Sequence, residues 1–294
     1  MDERKRTTTR KNIVRLKRKI LILRIEELIL VLIIALMTII GCVRSNTTGT
    51  TNDLEENFQA PVETIETIDR PENNSDQNDY EMAYTWVMAH AEELPANLVT
   101  MAEDNMELSR FLYLWKTGNY TMPEEILLTE EEKKADIPLF MQWDDRWGFY
   151  PYCDGVMGTS GCGPSCMAMV ANGLLKDDTM NPKIVAEFAT DHGFVMSGTG
   201  TKWALFEAFS EDKGLTCKNL GTDIEAVLAE LRKGHPVICS MTKGTFTYGG
   251  HFIVLVAIDD KGIIINDPMS IEKSNSRWEI STFESEIKNA WSFY

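Results

Sequence analysis

Thr159-Ser160-Gly161-Cys162-Gly163-Pro164-Ser165-Cys166-Met167-Ala168-Met169 sets a thiol directly after a glycine turn and at the head of an apolar run. Pro164 fits the first turn of a helix, where its missing N–H costs nothing. The segment from Ser165 to Leu175 is accordingly predicted to be a buried helix. A helix N-terminus carries unpaired N–H groups and partial positive charge, so it favours a thiolate over a thiol. Nucleophilic cysteines need that setting. The alternative is a structural cysteine, since free Cys is among the most buried residue types.

Working outward, the chain alternates helices and strands from about Ile137. Ile137 to Gln142 is a short extended lead-in. Lys183 to Asp191, Lys202 to Phe209 and Asp223 to Arg232 are predicted to be helices. Strands are predicted at Pro236–Met241, Phe252–Ile258 and Gly262–Ile265, the last two joined by Asp259-Asp260-Lys261-Gly262, a hairpin signal. Helices first, with the thiol on one of them, then an antiparallel sheet, is an α+β arrangement.

His251 follows Gly249-Gly250 and opens the strand Phe252–Ile258, while Asp267 closes the next strand in Asn266-Asp267-Pro268. Pro268 biases Asp267 to an extended conformation and ends the pairing. His251 and Asp267 are therefore expected near the same end of adjacent strands, where the carboxylate holds the imidazole in one tautomer. Side chains alternate faces along a strand, so a hairpin loop of even length would put the two on opposite faces. The pairing needs an odd loop or a bulge, and Gly262 is the expected place for it. Gln142, upstream of the cysteine, offers an amide that pairs with the Cys162 backbone N–H as an oxyanion hole.

The chain has 294 residues, 44% hydrophobic and 25% charged, with a net charge of -16. Residues 1–27 hold ten Lys or Arg and four Asp or Glu, a net of +6, which leaves -22 for the remainder. An acidic body argues against a nucleic-acid partner, and no segment resembles a nucleic-acid-binding module. Behind the basic head, residues 28–43 form an uncharged apolar run of sixteen residues, roughly 24 Å as a helix. The positive-inside rule keeps residues 1–27 in the cytoplasm and sends the rest across the membrane. The run is read as a single-pass signal anchor. Ile39-Ile40-Gly41-Cys42 loosely matches a lipobox, so a lipoprotein anchored at Cys42 is the alternative. Either way the body is tethered and extracytoplasmic.

Residues 44–79 are polar, with few aromatics, and are expected to be a disordered linker. Residues 80–135 change character: Tyr84, Val87 and Met88, then Leu98, Met101, Met106, Leu108, Phe111 and Leu112 after Pro95, predict two or three helices. This helical pre-segment leads into the domain at 136–294. Of six cysteines, setting aside Cys42 and Cys162 leaves Cys153, Cys166, Cys217 and Cys239, which allow three pairings if all are oxidised. Disulfides are permitted outside the cytoplasm but not required. Cys166 and Cys239 are expected in the core, and Cys153, in a polar loop, is the one most open to oxidation. No repeated CxxC spacing calls for a structural zinc, and no cofactor or metal is expected. His90, His192 and His235 are assigned no chemistry, Trp143 and Trp147 are core or cleft wall, and Ser197-Gly198-Thr199-Gly200 is a turn beside the cleft.

The runs Pro138–Trp147, Ser160–Ser165, Gly250–Leu255 and Asn266–Pro268 resemble the peptidase family 39 cysteine peptidases of the papain clan, in particular their stand-alone, membrane-tethered bacterial branch. The closing stretch with Ser274, Trp278 and Trp291 fits that branch too, and the likeness covers about residues 95–294. It implies a papain-like fold with the nucleophile on an N-terminal helix packed against an antiparallel sheet. It further implies Cys162 as nucleophile, His251 as base, Asp267 as orienter and Gln142 as oxyanion donor. Better-known members cut leader peptides after paired glycines while fused to an export transporter. No stretch here resembles the transporter part, and residues 143–161 form a longer insertion, expected at the rim of the cleft.

The function expected from these readings is a tethered extracytoplasmic endopeptidase acting on a peptide or protein substrate through a thioacyl intermediate. Cell-wall peptide hydrolysis or transpeptidation on the same fold, and a catalytically silent peptide-binding module, are the alternatives. A Cys/His/Asp zinc site is a further one.

Overall fold

Residues 74–294, apart from Asp104 and Thr199, are described by a computed structural model. The basic head, the apolar run 28–43 with Cys42, and residues 44–73 of the expected linker lie outside the described residues. Among the described residues no helix is long and apolar enough to cross a membrane.

Three helices precede the domain: α1 (Asn74–Ala89), α2 (Ala96–Ala102) and α3 (Met106–Thr117). The first begins inside the stretch expected to be linker. Asn105 caps α3 by accepting the Leu108 N–H at 3.0 Å, and Gly118, at φ 72°, closes it in the left-handed region. Their apolar stripes meet in one cluster holding Val87, Leu98, Leu108, Phe111 and Leu112. A short helix, α4 (Glu130–Lys134), follows with a reciprocal capping box between Thr129 and Glu132. Glu132 also receives the Arg146 fork at 2.7 and 2.8 Å, which fastens α4 to the turn after Gln142.

The chain then runs through a hairpin, β1 (Pro151–Tyr152) and β2 (Gly155–Val156), into α5 (Met157–Ser160) and α6 (Cys162–Leu175). Residues 143–161, expected at the rim of a cleft, contribute to the interior. Trp147, Phe149, Tyr152 and Met157 are all buried, so this insertion supplies core. Helix α6 starts at Cys162 itself, which puts Pro164 in its first turn. Gly163 to Gly173 is buried without a break, the mark of a helix with no solvent face. Pairs α7 (Pro182–Asp191), β3 (Val195–Met196), β4 (Gly200–Thr201) and α8 (Ala204–Lys213) wrap it.

The remaining elements are β5 (Cys217–Gly221), α9 (Ile224–Leu231), β6 (Val237–Met241), β7 (His251–Asp259), β8 (Gly262–Asn266), α10 (Ile271–Ser274), β9 (Arg277–Trp278), α11 (Ile280–Glu286) and β10 (Ile287–Phe293). The six-stranded sheet has the order β5-β10-β6-β7-β8-β9, antiparallel throughout. One face carries Ile238, Phe252, Val254, Trp291 and Phe293 against Met167, Met169 and Val170 of α6. The other carries Cys239, Ile253, Leu255, Ile263 and Ile265 against Leu228 of α9 and Phe283 of α11. Each such fully buried side chain stabilises the fold by about 1.5–3 kcal/mol. This is an α+β, papain-like architecture. The strand β10 was not expected from the sequence, yet it sits second from one edge of the sheet.

The β7–β8 turn is the even, two-residue Asp260-Lys261, with Asp259 opposite Gly262. The parity is corrected by a bulge between Leu255 and Ala257, so Val256 is the extra residue. Gly262 was the expected site and is not the bulge. Its φ of 133° and the Trp278 carbonyl, 2.6 Å from where a Cβ would lie, show that it makes room for β9 instead.

Candidate active site

Cys162 stands at the first position of α6, half-buried, with Gly161 as the cap residue before it. Its N–H is one of the helix's unpaired donors. Gly163 lets the helix start approach β4: a Cβ there would lie 2.5 Å from Thr201 Oγ1. Behind the thiol, the buried Tyr152 hydroxyl and Thr201 Oγ1 are 2.7 Å apart.

His251 opens β7 opposite Met241 of β6 and is buried. Its Nε2 donates to Asp267 Oδ1 at 2.7 Å, which leaves the other ring nitrogen for Cys162, near enough to act on the imidazole. Burial alone would lower the imidazole pKa. The Asp267 charge and hydrogen bond, followed by those of Cys162, overcome burial and raise it to about 10. The imidazolium therefore persists through neutral pH.

Asp267 is 1% exposed. Its Oδ1 also accepts the Met269 N–H at 2.9 Å, and its own N–H donates to Ser274 Oγ at 2.9 Å. Ser274 in turn donates to the Ser270 carbonyl at 2.8 Å. Sequence reasoning assigned Ser274 no such task. The only local signal was the Ser270-to-Ser274 spacing, one helical turn.

Gln142 is 2% exposed, and its backbone N–H donates to the Pro268 carbonyl at 2.8 Å. That bond joins it to the corner that carries Asp267. Its Nε2 donates to the Gly158 carbonyl at 3.0 Å. An acceptor at Gly158 requires the nitrogen on that side, so the amide orientation is fixed and one N–H is left over. Cys162, His251 and Asp267 thus form one chain of contacts. Gln142 is joined to it through backbone, at Pro268 and at Gly158, four residues before the thiol.

The other described cysteines are free as well. Burial pushes the Cys217 thiol up to about 12 and raises Cys166 and Cys239 well above the usual thiol range. Cys153, at φ 55° in the β1–β2 turn, donates to the Gly200 carbonyl at 3.3 Å. Burial, with the nearby Cys162 and Asp154 charges, raises its pKa to about 11. A thiol so held protonated is a poor nucleophile.

The fold is that of a papain-like cysteine peptidase domain. The Peptidase_C39 like family matches residues 134–293, more than half of the chain, and the chain belongs to that family. Among solved structures, it is similar to the peptidase domain of Streptococcus ComA, a bi-functional ABC transporter involved in quorum sensing, at 20% identity. That match covers 46% of this chain and 91% of the other, with a TM-score of 0.38. A putative C39-like peptidase from Bacillus anthracis is 17% identical over 58% of this chain and 98% of its own, with a TM-score of 0.35. A double glycine motif protease from an AMS/PCAT transporter, solved with its leader peptide, is 18% identical over 45% and 84%, with a TM-score of 0.29. Comparison with curated proteins returns no match.

Proposed function

We propose that the chain is a membrane-tethered cysteine endopeptidase that works outside the cytoplasm. Cys162 attacks the scissile carbonyl, and the Cys162 N–H with the free N–H of Gln142 stabilises the oxyanion. His251 then gives its proton to the leaving amine, and later takes one from the water that releases the thioacyl group. Asp267 holds the imidazole through Nε2. One observation carries this reading: a buried histidine lies beside a helix-head thiol and has its Nε2 2.7 Å from a buried carboxylate. The tether rests on the basic head and the apolar run 28–43.

Iodoacetamide and a mixed peptide library test it on the full chain. The expected result is alkylation at Cys162 ahead of the other cysteines, with peptide cleavage that disappears in Cys162→Ala and His251→Ala. Preferential labelling of another cysteine, or cleavage untouched by His251→Ala, would sink the assignment. For the tether, protease protection of the body in sealed cells is read against its exposure on spheroplasts. A body digested only after cell lysis would place it inside and remove the extracytoplasmic half of the proposal.

A further inference from the structure

The family match begins at residue 134, so α1 to α3 stand outside it. They nevertheless reach the site. Phe111, on α3 and 1% exposed, lies so close over Gly158 that a Cβ on that glycine would collide with the ring. Gly158 is the residue whose carbonyl accepts Gln142 Nε2, and its own N–H donates to the Gly148 carbonyl at 2.8 Å. Met141 and Trp143, on either side of Gln142, are buried in the same cluster as Leu108, Phe111 and Leu112. Met269, which donates its N–H to Asp267, belongs to that cluster too. The neighbouring Arg110 pairs with Asp145 and fastens α3 to the turn after Gln142.

We propose that Phe111 is a positioning residue: pressed on Gly158, it fixes the carbonyl that orients the Gln142 amide, so the helical segment completes the oxyanion hole. This rests on the reading of Gln142 as oxyanion donor. An amide with two N–H groups has only one free once Gly158 holds the other, and where that one points follows from where the Gly158 carbonyl lies. Oxyanion donors act through fixed geometry, and a misplacement near 1 Å costs about a hundredfold in rate. A close-packed interior transmits the ring's removal to the carbonyl because no slack absorbs it.

Two reactions of the same thiol separate this role from ordinary core filling. With p-nitrophenyl acetate, Sγ bonds to the carbonyl carbon and the π pair moves to oxygen as an oxyanion. That oxyanion collapses to expel p-nitrophenolate. With iodoacetamide, Sγ bonds to carbon as iodide leaves, and no oxyanion forms. Both rates are measured on the full chain for wild type, Phe111→Ala, Phe111→Leu, Gly158→Ala and Gln142→Ala. The expected result is a fall of tenfold or more in acylation for Phe111→Ala and Gly158→Ala, with alkylation within twofold of wild type. Phe111→Leu recovers most of the acylation, and Gln142→Ala shows the same split. Acylation and alkylation that fall together in Phe111→Ala, or a Phe111→Ala that changes neither, overturns the proposal. A Gln142→Ala without effect removes the reading beneath it, and the proposal falls with it. Should Phe111→Ala fail to fold, Gly158→Ala and Phe111→Leu give the same decision.

Discussion

His251 Nε2 and Asp267 Oδ1 lie 2.7 Å apart although an even, two-residue turn joins their strands. In a regular ladder the two side chains would point to opposite faces. The bulge at Val256 puts one extra residue into β7 and restores the match: Leu255 faces Ile265, and continuing that register sets Ile253 opposite Asp267. His251, two residues before Ile253, shares its face. A backbone irregularity in mid-strand is thus what brings the imidazole to its carboxylate.

The charge on Asp267 is the strongest influence that raises His251, and burial is what opposes it. Asp267→Asn removes the charge and keeps the burial, so the imidazolium releases its proton at lower pH. The alkaline limb of kcat/KM is expected to move down by at least about one unit, and activity at pH 7 to fall by about 10- to 100-fold. The sign for stability follows. A folded value of about 10 above the ordinary 6.5 stabilises fully below pH 6.5 and ceases to do so as pH rises through 10. The Tm gap between wild type and Asp267→Asn should therefore be wide near pH 6 and close towards pH 10; a gap that grows with pH would contradict the assignment.

Ser274→Ala deletes the acceptor for the Asp267 N–H and leaves a buried donor unpaired. Such a loss costs about 1–3 kcal/mol. Denaturant melts should show it, and kcat should drop several-fold while KM holds, because Asp267 touches no substrate. Ser274→Thr, which keeps the hydroxyl, should recover most of the kcat.

Gly163→Ala pushes a methyl group to 2.5 Å from Thr201 Oγ1, directly behind the thiol. Overpacking of this kind costs about 1–3 kcal/mol. Stability and Cys162 alkylation should both fall, and each loss should be smaller when Gly163→Ala is made in a Thr201→Gly background than in the wild type. Additive losses in the double variant would mean that the two residues do not press on one another.

Glu230 makes hydrogen bonds with Lys218 at 2.9 Å, His235 at 2.7 Å and Lys233 at 3.1 Å. The Lys218 bond, then the His235 bond, pull its pKa from 4.5 down to about 2. A depressed carboxylate stabilises above its unfolded pKa and stops doing so as pH falls through its folded one. Glu230→Gln is expected to lower Tm at pH 7 by about 3–6 °C, and the gap should vanish as pH nears 2. A gap unchanged between pH 5 and pH 2.5 would show that the cluster contributes nothing through charge.

The local surroundings of Cys162, His251 and Asp267 were legible because each lies at the start or end of an element that its own neighbours specify. Glycine precedes the helix, paired glycines precede β7, and proline follows β8. The bulge was legible as a necessity but not in its place. Gly262 looked suitable, yet its freedom is taken up by the Trp278 carbonyl on a strand not seen in the sequence. Strand β10 escaped because Lys288 and Asn289 break its apolar pattern, and its partners β5 and β6 lie far upstream. The hold of Phe111 on Gly158 is likewise a contact between distant segments, and no periodicity announces it.

Strand β10 has a consequence for the life of the chain during synthesis. It follows Cys162, His251 and Asp267 in sequence, yet it lies between β5 and β6 and gives Trp291 and Phe293 to one face of the sheet and Ile287 and Ala290 to the other. A nascent chain extended only as far as Asp267 already holds every reacting group but has a sheet split in two. Such a chain pays the entropy of long-range pairing before any of its return. The site therefore settles last, when the closing strand slots in, after every one of its side chains has already been made.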